Sequence, residues 1–337
     1  MLILATSISG SGRKEYLKEF EKFAAKHRKK VKIYYVGEMI FTQAEKAGIK
    51  ITKENVLNSN PNVLHALRSA AFENIFANSE KDQKENDLVI ISFHSFFYWK
   101  KIFSRAFDKL SLGKIKPDMF LTFINRSEDI ENELNSRVQW KSEKLSNTEI
   151  LLWQNVEAEV TASWADFAEK PFYVLPVKQS VSTLYKLIFC PQIEPIYVSM
   201  PMTHLKDKKD FDKIKKFIKK LNLYYTVFDP RTVEVGPAPT GQGKDMTVYH
   251  QTVCRDLYWL IKQSSKTIAY FPCVANSPGV INELREAYET SKDVWLIYPE
   301  KEGSPFITYF CGKLFNSEKE FFAYLENQLK LKPLKIN

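Results

Sequence analysis

Leu2 to Tyr16 reads LILATSISGSGRKEY: five strand-type residues, a loop holding Gly10 and Gly12, and the start of a helix near Lys14. The chain has only 11 glycines, so two of them between a strand and a helix are informative. The same alternation continues with strand patterns at Val31 to Val36, Leu88 to Phe93, Met119 to Ile124 and Phe172 to Leu175, separated by long helical patterns. Strands divided by helices imply a parallel sheet covered on both faces. Five strands suffice for a small doubly wound domain, expected over residues 1–190.

Pro171, Pro176, Pro191 and Pro195 then punctuate the chain, and a new strand pattern, Ile196 to Ser199, follows the last of them. The boundary is set at Cys190 to Glu194. Tyr224 to Phe228, Thr267 to Phe271 and Val294 to Tyr298 read as further strands, so residues 195–337 form a second doubly wound, flavodoxin-like α/β domain. No internal repeat or low-complexity tract interrupts either half.

A length of 337 residues fits two domains, and 44% hydrophobic, 14% aromatic and 26% charged residues is a globular composition. The apolar run Leu2 to Ala5 is too short for a secretory leader, and no stretch approaches the roughly 20 apolar residues of a membrane span. A cytoplasmic protein with no membrane partner is expected. Cys190, Cys254, Cys273 and Cys311 lack metal-ligand spacing, so neither a metal site nor a disulfide framework is expected. Much of the net charge of +9 sits in KDKKDFDKIKKFIKK, from Lys206, where Phe211, Ile214, Phe217, Ile218 and Leu221 make a helical apolar stripe. That spacing favours a solvated helix face over a nucleic-acid patch.

The loop after the first strand stands where phosphate-binding loops stand, with glycines that let backbone N–H groups turn inward and a helix N-terminus that adds positive potential. The G-x-x-x-x-G-K-[ST] pattern needs Gly, Lys and Ser or Thr where this chain has Ser7, Arg13 and Lys14; only Gly12 matches. Arginine is a planar fork rather than a compact point charge, and the hydroxyl that would hold magnesium is absent. Ser92, Phe93 and His94 follow the Leu88 strand without a carboxylate, and Asp87 sits at its other end. With KPDMFLTF at Lys116, the layout of residues 1–190 resembles P-loop nucleoside and nucleotide kinases of the adenylate kinase type. Three readings stand: a degenerate domain that still binds a nucleotide through Gly10, Gly12, Arg13 and Lys14, a kinase with altered loop chemistry, or a purely structural turn. His94 reads as a packed or capping histidine.

In the second half, IYVSMPM at Ile196 is a strand running into small and apolar residues, Ser199 and Met200 among them, where backbone amides can meet a ligand. RDLYWLIKQSSKTIAYFP, Arg255 to Pro272, places Asp256 within a helix before a core strand; a surface cap is the bland alternative. NSPGVINELREAYE, from Asn276, follows that strand with a Ser277, Pro278, Gly279 turn that opens a helix, Ser277 and Gly279 being expected to bind substrate, and Glu283 falls on its first turns. Positive potential there holds a carboxylate ionised. Glu286 and Glu289 lie further from the strand end. A carboxylate nucleophile and a second carboxyl group suffice for metal-free glycosyl transfer.

The order YVSMP, RDLYWLI, strand, SPGVINELREAYE resembles nucleoside 2-deoxyribosyltransferases and the related deoxynucleoside 5′-monophosphate N-glycosidases over about 145 residues. The resemblance implies Glu283 as nucleophile, Asp256 as the acid or base-contacting carboxylate, Tyr197 beside the sugar, no cofactor, and a homo-oligomer with SPFITYF, from Ser304, near a neighbour's pocket. This chain departs from the family in having Pro278 before the glycine and no glycines in the first loop to receive a 5′-phosphate. FDPRTVE brings Arg231 to a strand end, placed either to meet phosphate or to pair with Asp229. GPAPTGQGKD, with Gly236, Gly241 and Gly243, is expected to close over substrate. The expected function is hydrolysis or transfer of a (deoxy)nucleoside or nucleotide N-glycosidic bond. The alternatives are a silent nucleotide-sensing protein and a nucleotide kinase with a changed phosphate loop.

Overall fold

The computed structural model describes residues 1–107, 113–202, 207–233 and 246–334, so the glycine-rich loop at 236–245 lies outside the described residues. The chain divides into two compact units, Met1–Val177 and Lys178–Asn337. Both are α/β, each built on an all-parallel sheet, as the strand and helix alternation implies.

In the first unit β1 (Leu2–Thr6), β2 (Val31–Tyr35), β3 (Leu88–Phe93), β6 (Met119–Ile124) and β7 (Phe172–Pro176) form one sheet in the order β2-β3-β1-β6-β7. β1, β3 and β6 are buried at every position, the signature of parallel strands covered on both faces. The helix Arg13–Lys26 follows β1 and buries Tyr16, Leu17, Phe20 and Ala24 at helical spacing. Asn147–Ala168 starts at a capping box in which the Ser146 side chain and Glu149 satisfy each other's backbone N–H groups. Between β3 and β6 a separate antiparallel hairpin, β4 (Phe96–Trp99) and β5 (Ile102–Arg105), was not expected from the sequence. Its two-residue turn is Lys100–Lys101, both at positive φ (52° and 61°), so the glycine or asparagine that usually announces such a turn is missing.

The second unit holds β8 (Pro195–Ser199), β9 (Thr226–Phe228), β10 (Lys266–Tyr270), β11 (Asp293–Ile297) and β12 (Lys313–Phe315), ordered β12-β11-β10-β8-β9. Numbered within the unit this is 2-1-3-4-5, the flavodoxin-like order, in which the chain reverses direction across the sheet between β8 and β10. The helix Lys208–Leu221 buries Ile214, Phe217, Ile218 and Leu221, with Phe217 stacked 4.1 Å from Tyr270, while its lysines take the outer face. The helix Val181–Phe189 packs in this unit although it precedes Pro191 and Pro195: buried Lys186 donates to the carbonyls of Asn222 and, at 2.9 Å, Tyr225. Among the described residues no helix is long and apolar enough to cross a membrane.

Candidate active site

Side chains alternate along a strand, so Ile196, Val198 and the following Met200 join the apolar core on one face of β8 while Tyr197 and Ser199 share the other. Tyr197 and Ser199 are fully buried. Met200, expected at the substrate, is a core side chain at 6% exposure, and its carbonyl accepts from Met202 N at 2.9 Å.

After β10 the chain reaches Ser277, whose Oγ accepts from Val280 N at 3.4 Å and caps the helix Pro278–Glu289. Proline suits the first helical position because its missing N–H has no partner to lose. Val280, Leu284 and Ala287 point inward, and Glu283, one helical step from that stripe, is half-buried. Its two oxygens are both engaged from β8: Tyr197 Oη donates to Oε1 at 3.0 Å and Ser199 Oγ donates to Oε2. Three residues distant in sequence thus converge at the carboxyl ends of β8 and β10, beside the reversal in strand order where open α/β sheets bind ligands. Gly279 is exposed on the first turn, with nothing closer than Ser277 Oγ at 4.0 Å to where a Cβ would stand.

Asp256 is 8% exposed and opens a π-helical segment, Asp256–Ile261, that continues the helix Thr247–Arg255. The segment packs against both β8 and the Pro278–Glu289 helix, so Asp256 belongs to the layer that holds Glu283. A π turn re-aims side chains relative to an α-helix and recurs at functional sites, a feature that helical periodicity in the sequence does not encode. Arg231 is taken by Asp229: its Nε reaches Oδ1 at 2.9 Å and Oδ2 at 3.0 Å, and Nη2 reaches Oδ2 at 2.6 Å. Of the two uses expected for Arg231, the structure realises the ion pair.

A cleft of about 250 Å³ lies in the first unit, over the loop Ser7–Gly12. Gly10 and Gly12 adopt φ of 77° and 85°, and the helix that follows starts without a side-chain cap. Arg13 lines this cleft and folds back to donate to the carbonyls of Phe93 and, at 3.4 Å, Ala5. Burial lowers its pKa to about 10 against the opposing charge of Glu157. Glu157 is itself buried and accepts from Ser95 N at 2.7 Å, Ser95 Oγ at 2.5 Å and Phe96 N at 3.0 Å. Lys14 pairs with Glu38. His94 packs through Nδ1 onto the Ser7 carbonyl and against Phe97 at 5.0 Å. Ser92 Oγ and Tyr35 Oη line the cleft, buried and without a hydrogen-bond partner among the described residues, and no sequence pattern marked either.

No family model matches the sequence, and no curated protein matches it. Among solved structures, one similar chain is TT1252 from Thermus thermophilus, 12% identical at a TM-score of 0.34, covering 57% of this chain and 97% of that one. Another is a deoxyadenosine kinase from M. mycoides with the products dCMP and dCDP bound, 13% identical at a TM-score of 0.33, covering 57% of this chain and 98% of that one. Likeness at that level says nothing about activity.

Proposed function

We propose that the second unit breaks the N-glycosidic bond of a (deoxy)nucleoside or nucleotide by double displacement at C1′, with Glu283 as nucleophile. The observation that carries this reading is the pair of hydroxyls from β8 that grips both oxygens of Glu283 at the strand-order reversal. A surface carboxylate has no use for two buried donors. A nucleophile does, because one fixed rotamer presents one oxygen to one ligand face. In the first displacement a Glu283 oxygen forms a bond to C1′ while the C1′–N bond breaks and its electron pair leaves with the base. Asp256, on the segment packed against the Glu283 helix, supplies or relays the proton the departing nitrogen takes up. In the second, water or another base attacks C1′ and frees Glu283. Neither step consumes a metal or an oxidant. Ser199, expected to contact substrate, acts in this scheme as a positioning residue, and Tyr197 serves both carboxylate and sugar.

The first unit is read as a nucleotide binder rather than a second catalyst, because Arg13 is committed to backbone carbonyls and Lys14 to Glu38. Assembly of the second unit into a homo-oligomer is supported by the exposed aromatic side chains of Phe306 (76%) and Tyr309 (72%) in the SPFITYF stretch.

The test is chromatography of the purified full-length protein incubated with deoxynucleosides and their 5′-monophosphates. Free base released by the wild type and not by Glu283→Ala is the expected result. No base from any nucleoside or nucleotide, or equal release by Glu283→Ala, rejects it.

A further inference from the structure

Two side chains in the cleft over the loop Ser7–Gly12 have no role in the scheme above. Tyr35 ends β2 and Ser92 lies near the end of β3, and the two are paired positions of neighbouring parallel strands, so they point to one face of the sheet. Ser92 is 1% exposed. Neither its Oγ nor Tyr35 Oη has a hydrogen-bond partner among the described residues, although both side chains line the cleft. Burying a hydroxyl unpaired is costly, and two of them in one cavity mark a place where a ligand completes the set.

The cations of this cleft are already matched. Arg13 donates to backbone carbonyls and faces the charge of Glu157, Lys14 pairs with Glu38, and Arg137 pairs with Glu133 at 2.8 Å. Glu15 and Glu38 also line the cleft, and burial first, then Glu21, Glu38 and Glu15, raises the pKa of Tyr35 to about 12. Tyr35 is therefore an uncharged donor at neutral pH, among carboxylates that repel an incoming anion. His94 is neutral as well, with Nδ1–H on the Ser7 carbonyl, which keeps its Nε2 an acceptor. The helix Arg13–Lys26 begins without a side-chain cap, and an uncharged oxygen accepts from its first N–H groups as an anion does. At about 250 Å³ the cleft falls below the roughly 300–1,000 Å³ of sites for drug-sized ligands, so it takes one small ring rather than a whole nucleotide.

We propose that this cleft holds a neutral pentose ring through its hydroxyls, with Ser92 and Tyr35 as contacts, and is not a phosphate site. The ligand of the first unit is thereby narrowed to a sugar, free or carried by a nucleoside, and the site does not depend on the glycosyl-transfer reading of the second unit. Ser92 and Tyr35 each donate and accept, as sugar hydroxyls do. A phosphate only accepts, and it would find every cation of the cleft facing a carboxylate.

The experiment is a ligand-observed NMR titration of the full-length wild type, Ser92→Ala and Tyr35→Phe with ribose, adenosine, inorganic phosphate and pyrophosphate. The wild type should bind ribose with a Kd of about 1 mM, the scale for so few atoms. Each variant should weaken that binding about 5- to 10-fold, the loss of one neutral hydrogen bond. Without ligand both variants should keep the wild-type Tm, because the hydroxyls they remove have no partner to lose, and a lowered Tm in either overturns the proposal. Ribose bound as tightly as adenosine identifies a free pentose as the ligand, and adenosine bound more tightly identifies the sugar of a nucleoside. Phosphate or pyrophosphate binding where neither sugar binds overturns the proposal, as does sugar binding that neither variant weakens, or none at all. Base release by the second unit, followed by chromatography of the same proteins, should be equal in all three, so either reading can fail without the other.

Discussion

His94 offers a perturbation whose size follows from the structure. It sits beside the loop Ser7–Gly12, with Nδ1 bonded to the Ser7 carbonyl, its ring against Phe97, and Arg13, Arg137 and Arg68 all acting on its charge. Burial first, and then Arg13, lowers its pKa from 6.5 to about 3, while the Ser7 carbonyl works in the opposite direction. A histidine shifted this way is neutral in the folded protein where the unfolded chain already holds a proton. Its contribution is therefore fully present above pH 6.5 and is lost as pH falls from 6.5 toward 3. At about 1.4 kcal/mol per pH unit, the first unit should lose about 1.4 kcal/mol by pH 5.5 and about 2.7 kcal/mol by pH 4.5 on this account alone. His94→Asn keeps a group able to bond the Ser7 carbonyl and removes the titration. Urea unfolding of wild type and variant at pH 7.5 and 5.5 isolates the term, because other titrating groups cancel in the difference. The wild type should lose about 1.4 kcal/mol more than His94→Asn between the two pH values. A difference below about 0.5 kcal/mol, with both proteins folded at pH 7.5, would refute the assignment of a neutral, desolvated imidazole.

Three further outcomes follow from the same geometry. Tyr197→Phe and Ser199→Ala each remove one donor from Glu283, a hydrogen bond to a charged group worth about 1.5–3 kcal/mol, so kcat for base release should fall about 10- to 100-fold with KM nearly unchanged; a rise in KM with normal kcat would make them substrate contacts instead. Gly279→Ala meets no atom closer than 4.0 Å and should leave Tm unchanged or slightly raised, yet impair turnover if substrate approaches the backbone there; unimpaired turnover removes Gly279 from the site. Gly10→Ala forces both a φ of 77° and a contact 3.1 Å from Leu134 Cγ, whereas Gly12→Ala, at φ 85°, has nothing nearer than Val177 Cγ2 at 3.8 Å. Thermal melts should show Gly12→Ala destabilised by about 1–2 kcal/mol and Gly10→Ala by more, and the reverse order would contradict the loop geometry.

The central strands are legible because burial on both faces leaves an unbroken apolar run: LVIISF and MFLTFI are buried at every residue, and their expected and observed ends coincide. β12, only KLF at a sheet edge with one buried residue of three, carries no such signal, and neither does a hairpin turn made of two lysines. Chain direction and alternation also gave the class of both sheets, since a helix between each pair of strands leaves few alternatives to parallel pairing. Strand order has no local signature, and the site depends on it. Glu283 was chosen from its sequence for lying near a helix N-terminus, but it stands in the second turn, where the helix dipole has largely faded. What distinguishes it from Glu286 and Glu289 is β8, which becomes the neighbour of β10 only through the 2-1-3-4-5 arrangement and there sets two hydroxyls against one carboxylate. The residues that sequence order exposes are those whose role is local, and the ones it conceals are held in place by strands that meet across the sheet.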